Sequence, residues 1–200
     1  MSVARLAGVL VVAAAALLSL TLVISLGGGS VSVRGEGPGS LTFTLALLVL
    51  GAGLAILAVI GPRPLDGRIV RTGFGLIVAG GLVELATANV PPESLLIVAF
   101  LLGGLAVLVG VVVTGIGLLR APGRPRWVGL GVVAGMLLVV AAGFIGNDPS
   151  VAFAPDAAGL RAVTSALAMA AAGLMLISLA GLGFLAIAST EPAGAPQSAE

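Results

Sequence analysis

Six apolar stretches, each about as long as a lipid bilayer is thick, leave this chain few ways to fold. They run over residues 6–26, 41–61, 72–90, 95–119, 128–146 and 162–188. At 1.5 Å per residue a helix needs about 20 residues to cross a hydrocarbon core of ~30 Å. In lipid every backbone polar group must bond within the chain, so such stretches become helices. The sequence predicts an all-α fold: a polytopic membrane helix bundle with six transmembrane helices, forming a single domain over residues 1–188. A Pro-, Ala- and Ser-rich tail, residues 189–200, is predicted to be disordered and cytoplasmic. The composition agrees, with 59% hydrophobic and 8% charged residues and a mean hydropathy of +1.27, outside the range of soluble domains. The first stretch follows Arg5 and precedes a GGGS segment. It is longer than the apolar core of a cleaved signal, about 7–15 residues, and is read as a retained span.

The loops set the expected orientation. Arg63, Arg68 and Arg71 flank the second connection, and Arg120, Arg124 and Arg126 flank the fourth, where Trp127 supplies an aromatic anchor at the interface. With Arg5 these lie on one side of the membrane, against Arg34 and Arg161 on the other. The positive-inside rule then places both termini in the cytoplasm of a cell-membrane protein. The same arginines and Trp127 are candidate contacts for lipid headgroups. Residues 27–40 read as a Gly- and Ser-rich loop with room for a short hairpin through Val31 and Val33. Pro91 and Pro92 break the third span, and the short turn they make requires spans three and four to be antiparallel neighbours.

What the chain lacks narrows its chemistry. It has no Cys, no His and no Tyr. Disulfides, thiolate or imidazole catalysis, and Cys- or His-ligated metals and haem are all removed. No Asp lies within a span, so an intramembrane aspartate pair is absent as well. Asp148 and Asp156 stand beside prolines and read as turn formers rather than metal ligands. Gly129, Gly131 and Gly135 imitate a dinucleotide fingerprint without its strand–turn–helix context. The net charge of +1 gives no attraction for nucleic acid. The expected partners are the bilayer, other membrane proteins or a second copy, with no cofactor and no enzymatic activity. All nine basic residues are Arg, which with abundant Ala, Gly and Val points to a GC-rich, prokaryotic coding genome.

One residue breaks the apolar pattern. Glu84, in the third span, is the only ionisable group placed at membrane depth, about 5 Å from the midplane of a helix over residues 72–90. A charge at the bilayer centre costs about 2.5–3.5 kcal/mol or more. Gly80, Gly81, Thr87 and Ala88 share its helix face and would admit a neighbouring helix, with the Thr87 hydroxyl as a partner. Glu84 and Thr87 form the candidate intramembrane proton or cation site. The plainer reading is a neutral acid donating one interhelical hydrogen bond, worth roughly 0.6–2 kcal/mol.

Small residues mark the expected packing faces: Gly80 and Gly81 in span three, Gly51 and Ala55 in span two, Ala106, Gly110 and Thr114 in span four, Gly131 and Gly135 in span five, Ala168 and Ala172 in span six. Residues 74–84, FGLIVAGGLVE, also align with residues 128–138, VGLGVVAGMLL, which suggests that spans two-three and four-five repeat one helical hairpin. The expected function is a small multi-pass membrane protein with a structural or accessory role. The alternative is a small proton- or cation-coupled transporter or channel that uses Glu84.

Overall fold

The computed structural model describes residues 2–26, 38–62, 65, 67–88, 94–147 and 157–189. They form six long helices: α1 (Val3–Leu26), α2 (Pro38–Ile60), α3 (Arg68–Ala88), α4 (Ser94–Arg120), α5 (Pro125–Asn147) and α6 (Ala157–Ala188). All six are long and apolar enough to cross a membrane, and the chain is an all-α, multi-pass membrane protein. The readings of Val31 and Val33, of Arg63, of Pro91 and Pro92, of Asp148 and Asp156, and of the tail from residue 190 lie outside the described residues.

The helices start earlier than the apolar runs do. α3 takes in Arg68 and Arg71, and α5 takes in Arg126 and Trp127. Long amphipathic side chains on a first turn reach back to the interface while their backbone is already helical. Pro38 and Pro125 stand at the first helical positions, where the missing N–H has no intrahelical acceptor to lose. The turn between α4 and α5 needs only residues 121–124, with Gly123 at φ +83°.

The helices form a ring. Each packs against its neighbours in sequence, and α1 packs against α6; among the described residues no helix backbone comes close to one across the ring. The α3–α4 seam is the most extensive and α2–α3 is the thinnest. Successive helices run antiparallel, so Arg5, Arg68, Arg71, Arg120, Arg124 and Arg126 gather at one end, here called the arginine end. Leu41, Val59, Leu101, Leu137 and Ile177 are among many large apolar side chains left exposed, as a surface solvated by lipid allows.

The core is not spread evenly along the ring. One cluster joins Ala7 and Val11 of α1, Leu54 and Leu57 of α2, Val70 and Phe74 of α3, Leu118 of α4, and Leu182 and Ala186 of α6, with Val128 of α5 packed on it. All of these lie towards the arginine end. Leu65, from the short connection between α2 and α3, is fully buried in the same cluster. Its N–H donates to the Pro62 carbonyl at 2.6 Å, turning the loop inward. Beyond the helix midpoints, towards the other end, the buried side chains are small: Thr21, Ala46, Thr87, Ala142 and Ala171. Among the described residues the large buried side chains therefore gather at the arginine end.

Glycines make most of the seams. A methyl group added at Gly8 would stand 2.6 Å from the Gly183 carbonyl oxygen, and one at Gly183 would stand 2.7 Å from that of Gly8. The same reciprocity joins Gly115 to Gly129 across α4–α5 and Gly80 to Gly103 across α3–α4. Gly131 meets Ser178, and Gly135 lies 3.1 Å from Met175, so both face α6. Some expected faces shift by two or three residues. Gly53, rather than Gly51, packs on Ala7 and Val11 of α1. Ala171 is buried where Ala168 is exposed. At two positions of the aligned segments the packing differs: Gly75 and Gly81 face open space, whereas Gly129 and Gly135 are packed.

Hydroxyls in the helices are satisfied locally. Ser19, Thr164 and Ser178 each donate to the carbonyl four residues back, at 2.7–2.9 Å, so these three leave no unmet donor in lipid. Thr21 adds an interhelical hydrogen bond to the Thr42 hydroxyl at 3.2 Å. A double-mutant cycle on Thr21→Val and Thr42→Val is expected to return a coupling of about 0.6 kcal/mol. A coupling near zero would mean that apolar packing alone holds this pair.

Candidate functional site

α3 presents three faces. Gly75, Ala79, Leu82 and Ala86 are exposed, and at 100° per residue they form one stripe towards lipid. Gly73, Gly80 and Thr87, seven residues apart, form a second stripe against α4. Ile77, Gly81 and Glu84 lie on the side opposite the exposed stripe, towards the ring interior. Glu84 therefore points inward at the α3–α4 seam, and it is half-buried there.

The seam explains how a carboxylate fits. A methyl group added at Gly80 would stand 2.5 Å from the Gly103 carbonyl oxygen, and one at Gly110 would stand 2.8 Å from that of Gly73. Backbones this close require bare Cα atoms on both helices. The Glu84 side chain lies across the next turn of α4. Its Cγ is 3.2 Å from the place a Cβ would take at Gly103, and its Oε1 is 3.1 Å from that place at Gly104. A side chain at either glycine would push the carboxylate away. The Gly-Gly pairs at 80–81 and 103–104 were the legible signal for this contact, and reading α3 without α4 missed the second pair.

α3 runs from Arg68 to Ala88, and Glu84 lies about 9 Å along the helix from its middle residue, Val78. The arginine end is about 24 Å away along the helix. Glu84 therefore lies in the half of α3 away from the arginines.

The Thr87 hydroxyl donates to the Val83 carbonyl at 2.8 Å and lies 3.2 Å from that of Glu84, both within its own helix. Among the described residues no hydrogen-bond donor or cation is in range of the Glu84 carboxyl oxygens, and no group of three or more acidic residues gathers to hold a metal ion. Across the seam, Thr114 Oγ1 is buried with no hydrogen-bond partner and rests against Gly73. Around the carboxylate there is room. A Cβ added at Gly81 would meet nothing within 4 Å, and one at Gly104 would meet only Glu84 Oε1.

The other singled-out residues fall into two groups. Gly80, Gly110, Gly131 and Gly135 sit in helix seams, Gly81 does not, and Ala106 is half-buried. At the arginine end Arg68, Arg120, Arg124 and Arg126 are exposed, Arg71 is half-buried, and Trp127 is 75% exposed. These are about 20 Å or more from Glu84 along the helices and form no part of its site. No protein-family model matches the chain, and neither a curated protein nor a solved structure matches it.

Proposed function

We propose that this is a non-enzymatic membrane protein whose helix ring forms a vestibule, open at the end away from the arginines, in which Glu84 takes up a proton or a cation as part of a small transporter or channel. With the arginine end in the cytoplasm, the vestibule opens outward. The observation that carries this reading is the Glu84 carboxylate: inward, half-buried and without a donor among the described residues. A structural glutamate in lipid is tied down, because an unmet carboxylate costs several kcal/mol there. A carboxylate left beside open space is one that solvent or a ligand reaches. The absence of Cys, His and Tyr supports a role without bond-making chemistry.

The chain has no cysteine, so single-cysteine labelling tests this directly. In vesicles with the open end outside, Glu84→Cys and Gly81→Cys are expected to react with a charged, membrane-impermeant thiol reagent. Ala79→Cys, on the lipid stripe, is expected to stay unlabelled. Protection of positions 84 and 81 to the level of position 79 would remove the vestibule and leave Glu84 a structural residue.

A further inference from the structure

Two exposed stripes run side by side on the outer surface of the α4–α5 hairpin. Gly115 of α4 and Gly129 of α5 face each other across the seam. In antiparallel helices the residue that follows each member of a facing pair turns to the same side. Ile116 and Leu130 therefore share one side, and both are exposed. At helical spacing, Val112, Ile116 and Arg120 form one stripe, and Arg126, Leu130 and Leu137 form the other. All six are exposed. Each stripe is apolar until it meets its arginine, and both arginines stand at the same end. Arg124 is exposed in the turn between the stripes, and Trp127 is exposed one helical turn from Leu130.

No acid among the described residues stands near these charges: the one there is, Glu84, lies about 20 Å or more away. By sequence order the segments at the arginine end carry seven arginines against three acids, Asp66, Glu191 and Glu200, so positive charge stays in excess wherever those acids lie. The backbone donors of the turn are already used. The Ala121 N–H donates to the Leu118 carbonyl, that of Arg126 to Gly123, and that of Trp127 to Arg124. An anion at this turn is left with guanidinium groups, whose paired N–H donors match two phosphate oxygens. Below them, Leu137 lies about 16 Å along α5 from Arg126, the depth of one leaflet of a ~30 Å hydrocarbon core. A ligand that fits both parts has an anionic head and a chain as long as a leaflet is deep.

We propose that the outer face of the α4–α5 hairpin binds an anionic phospholipid, with its phosphate on Arg120, Arg124 and Arg126 and an acyl chain along Ile116, Leu130 and Leu137. The site is independent of Glu84. Trp127 is the one tryptophan of the chain, so its fluorescence reports lipid at this turn alone. The purified full chain is reconstituted in phosphatidylcholine vesicles that contain dibrominated phosphatidylglycerol or, in parallel, the same share of dibrominated phosphatidylcholine, whose bromines quench Trp127 on contact. The quenching is expected to show the anionic lipid preferred about fivefold or more, the factor one arginine near a charged headgroup supplies. Arg124→Gln, in the exposed turn, is expected to weaken the preference, and replacing Arg120, Arg124 and Arg126 together by Gln is expected to remove it. Arg5→Gln takes one charge from the same end on α1, across the ring from α4, and is expected to leave it unchanged. Brominated lipid in both leaflets makes the reading independent of insertion direction, which separates a lipid site from a topology signal. Circular dichroism and gel filtration confirm that each variant is folded. Equal quenching by the two lipids would overturn the proposal. So would a preference unmoved in Arg124→Gln or in the folded triple variant, or one that falls as far in Arg5→Gln as in Arg124→Gln. Reversal of the anionic quenching by inorganic phosphate, beyond a chloride control of equal ionic strength, would overturn it in favour of a site for free anions.

Discussion

Gly183→Leu is expected to unseat α6 from α1 and to cost at least the ~1–3 kcal/mol typical of an overpacked core. The reason is the nature of the neighbours. A Cβ at residue 183 would stand 2.7 Å from the Gly8 carbonyl oxygen and 3.1 Å from the Val12 backbone nitrogen. Backbone cannot turn aside as a side chain can, so the helices must separate along their length. Gly8→Leu meets the same obstacle from the other side, at 2.6 Å from the Gly183 oxygen. The double variant is expected to cost no more than the worse single one, because either change already opens the joint. Gly173→Leu, where a Cβ meets nothing within 4 Å, is the control and is expected to stay within about 0.5 kcal/mol of the parent. Reversible unfolding in mixed micelles measures all four. Equal losses at positions 173 and 183 would refute the closed ring.

Leu65→Ala is expected to cost about 2–5 kcal/mol, a core-sized loss from a loop residue. Leu65 is fully buried among Leu54, Leu57, Val70, Phe74 and Leu118. It fills the ring where no helix does, so its removal leaves a cavity that the surrounding helices can close only by shifting together. Leu137→Ala, at a side chain 65% exposed, removes the same atoms from a lipid-facing site and is expected to change stability by less than about 0.5 kcal/mol. A Leu65→Ala effect as small as that of Leu137→Ala would show that the arginine end is held by the helices alone.

Both predictions rest on residues that sequence reading passed over, and for a common reason. The six spans were legible because lipid demands an apolar run of definite length, which each stretch meets. Which face of a span packs was much less legible. Helices that are apolar all round carry little contrast between faces, and small residues occur on several of them. Gly51 was chosen over Gly53, Gly81 was included with Gly80, and Ala168 was chosen over Ala171. Only the partner helix decides between such neighbours. Leu65 was hidden by its setting, a single leucine among Pro, Arg, Asp and Gly that reads as loop. Glu84 was conspicuous as the one acid in a span, but its surroundings were not. Its seat on Gly103 and Gly104 belongs to another helix. Thr87 looked like its partner because the two share a face, yet a helical threonine has a nearer acceptor in its own backbone.

The ring also has a consequence for how the chain assembles. Every seam but one joins consecutive helices, so each can form as soon as its second helix is made. Contact order is low throughout, except at the joint between α1 and α6, which waits for the whole chain. Until then the protein is an open arc with one unmatched glycine-bearing face at each end. Those two faces fit each other whether or not they belong to the same molecule. At high local concentration, the arc of one chain can close on the arc of another, and a domain-swapped dimer is the misassembly this architecture invites.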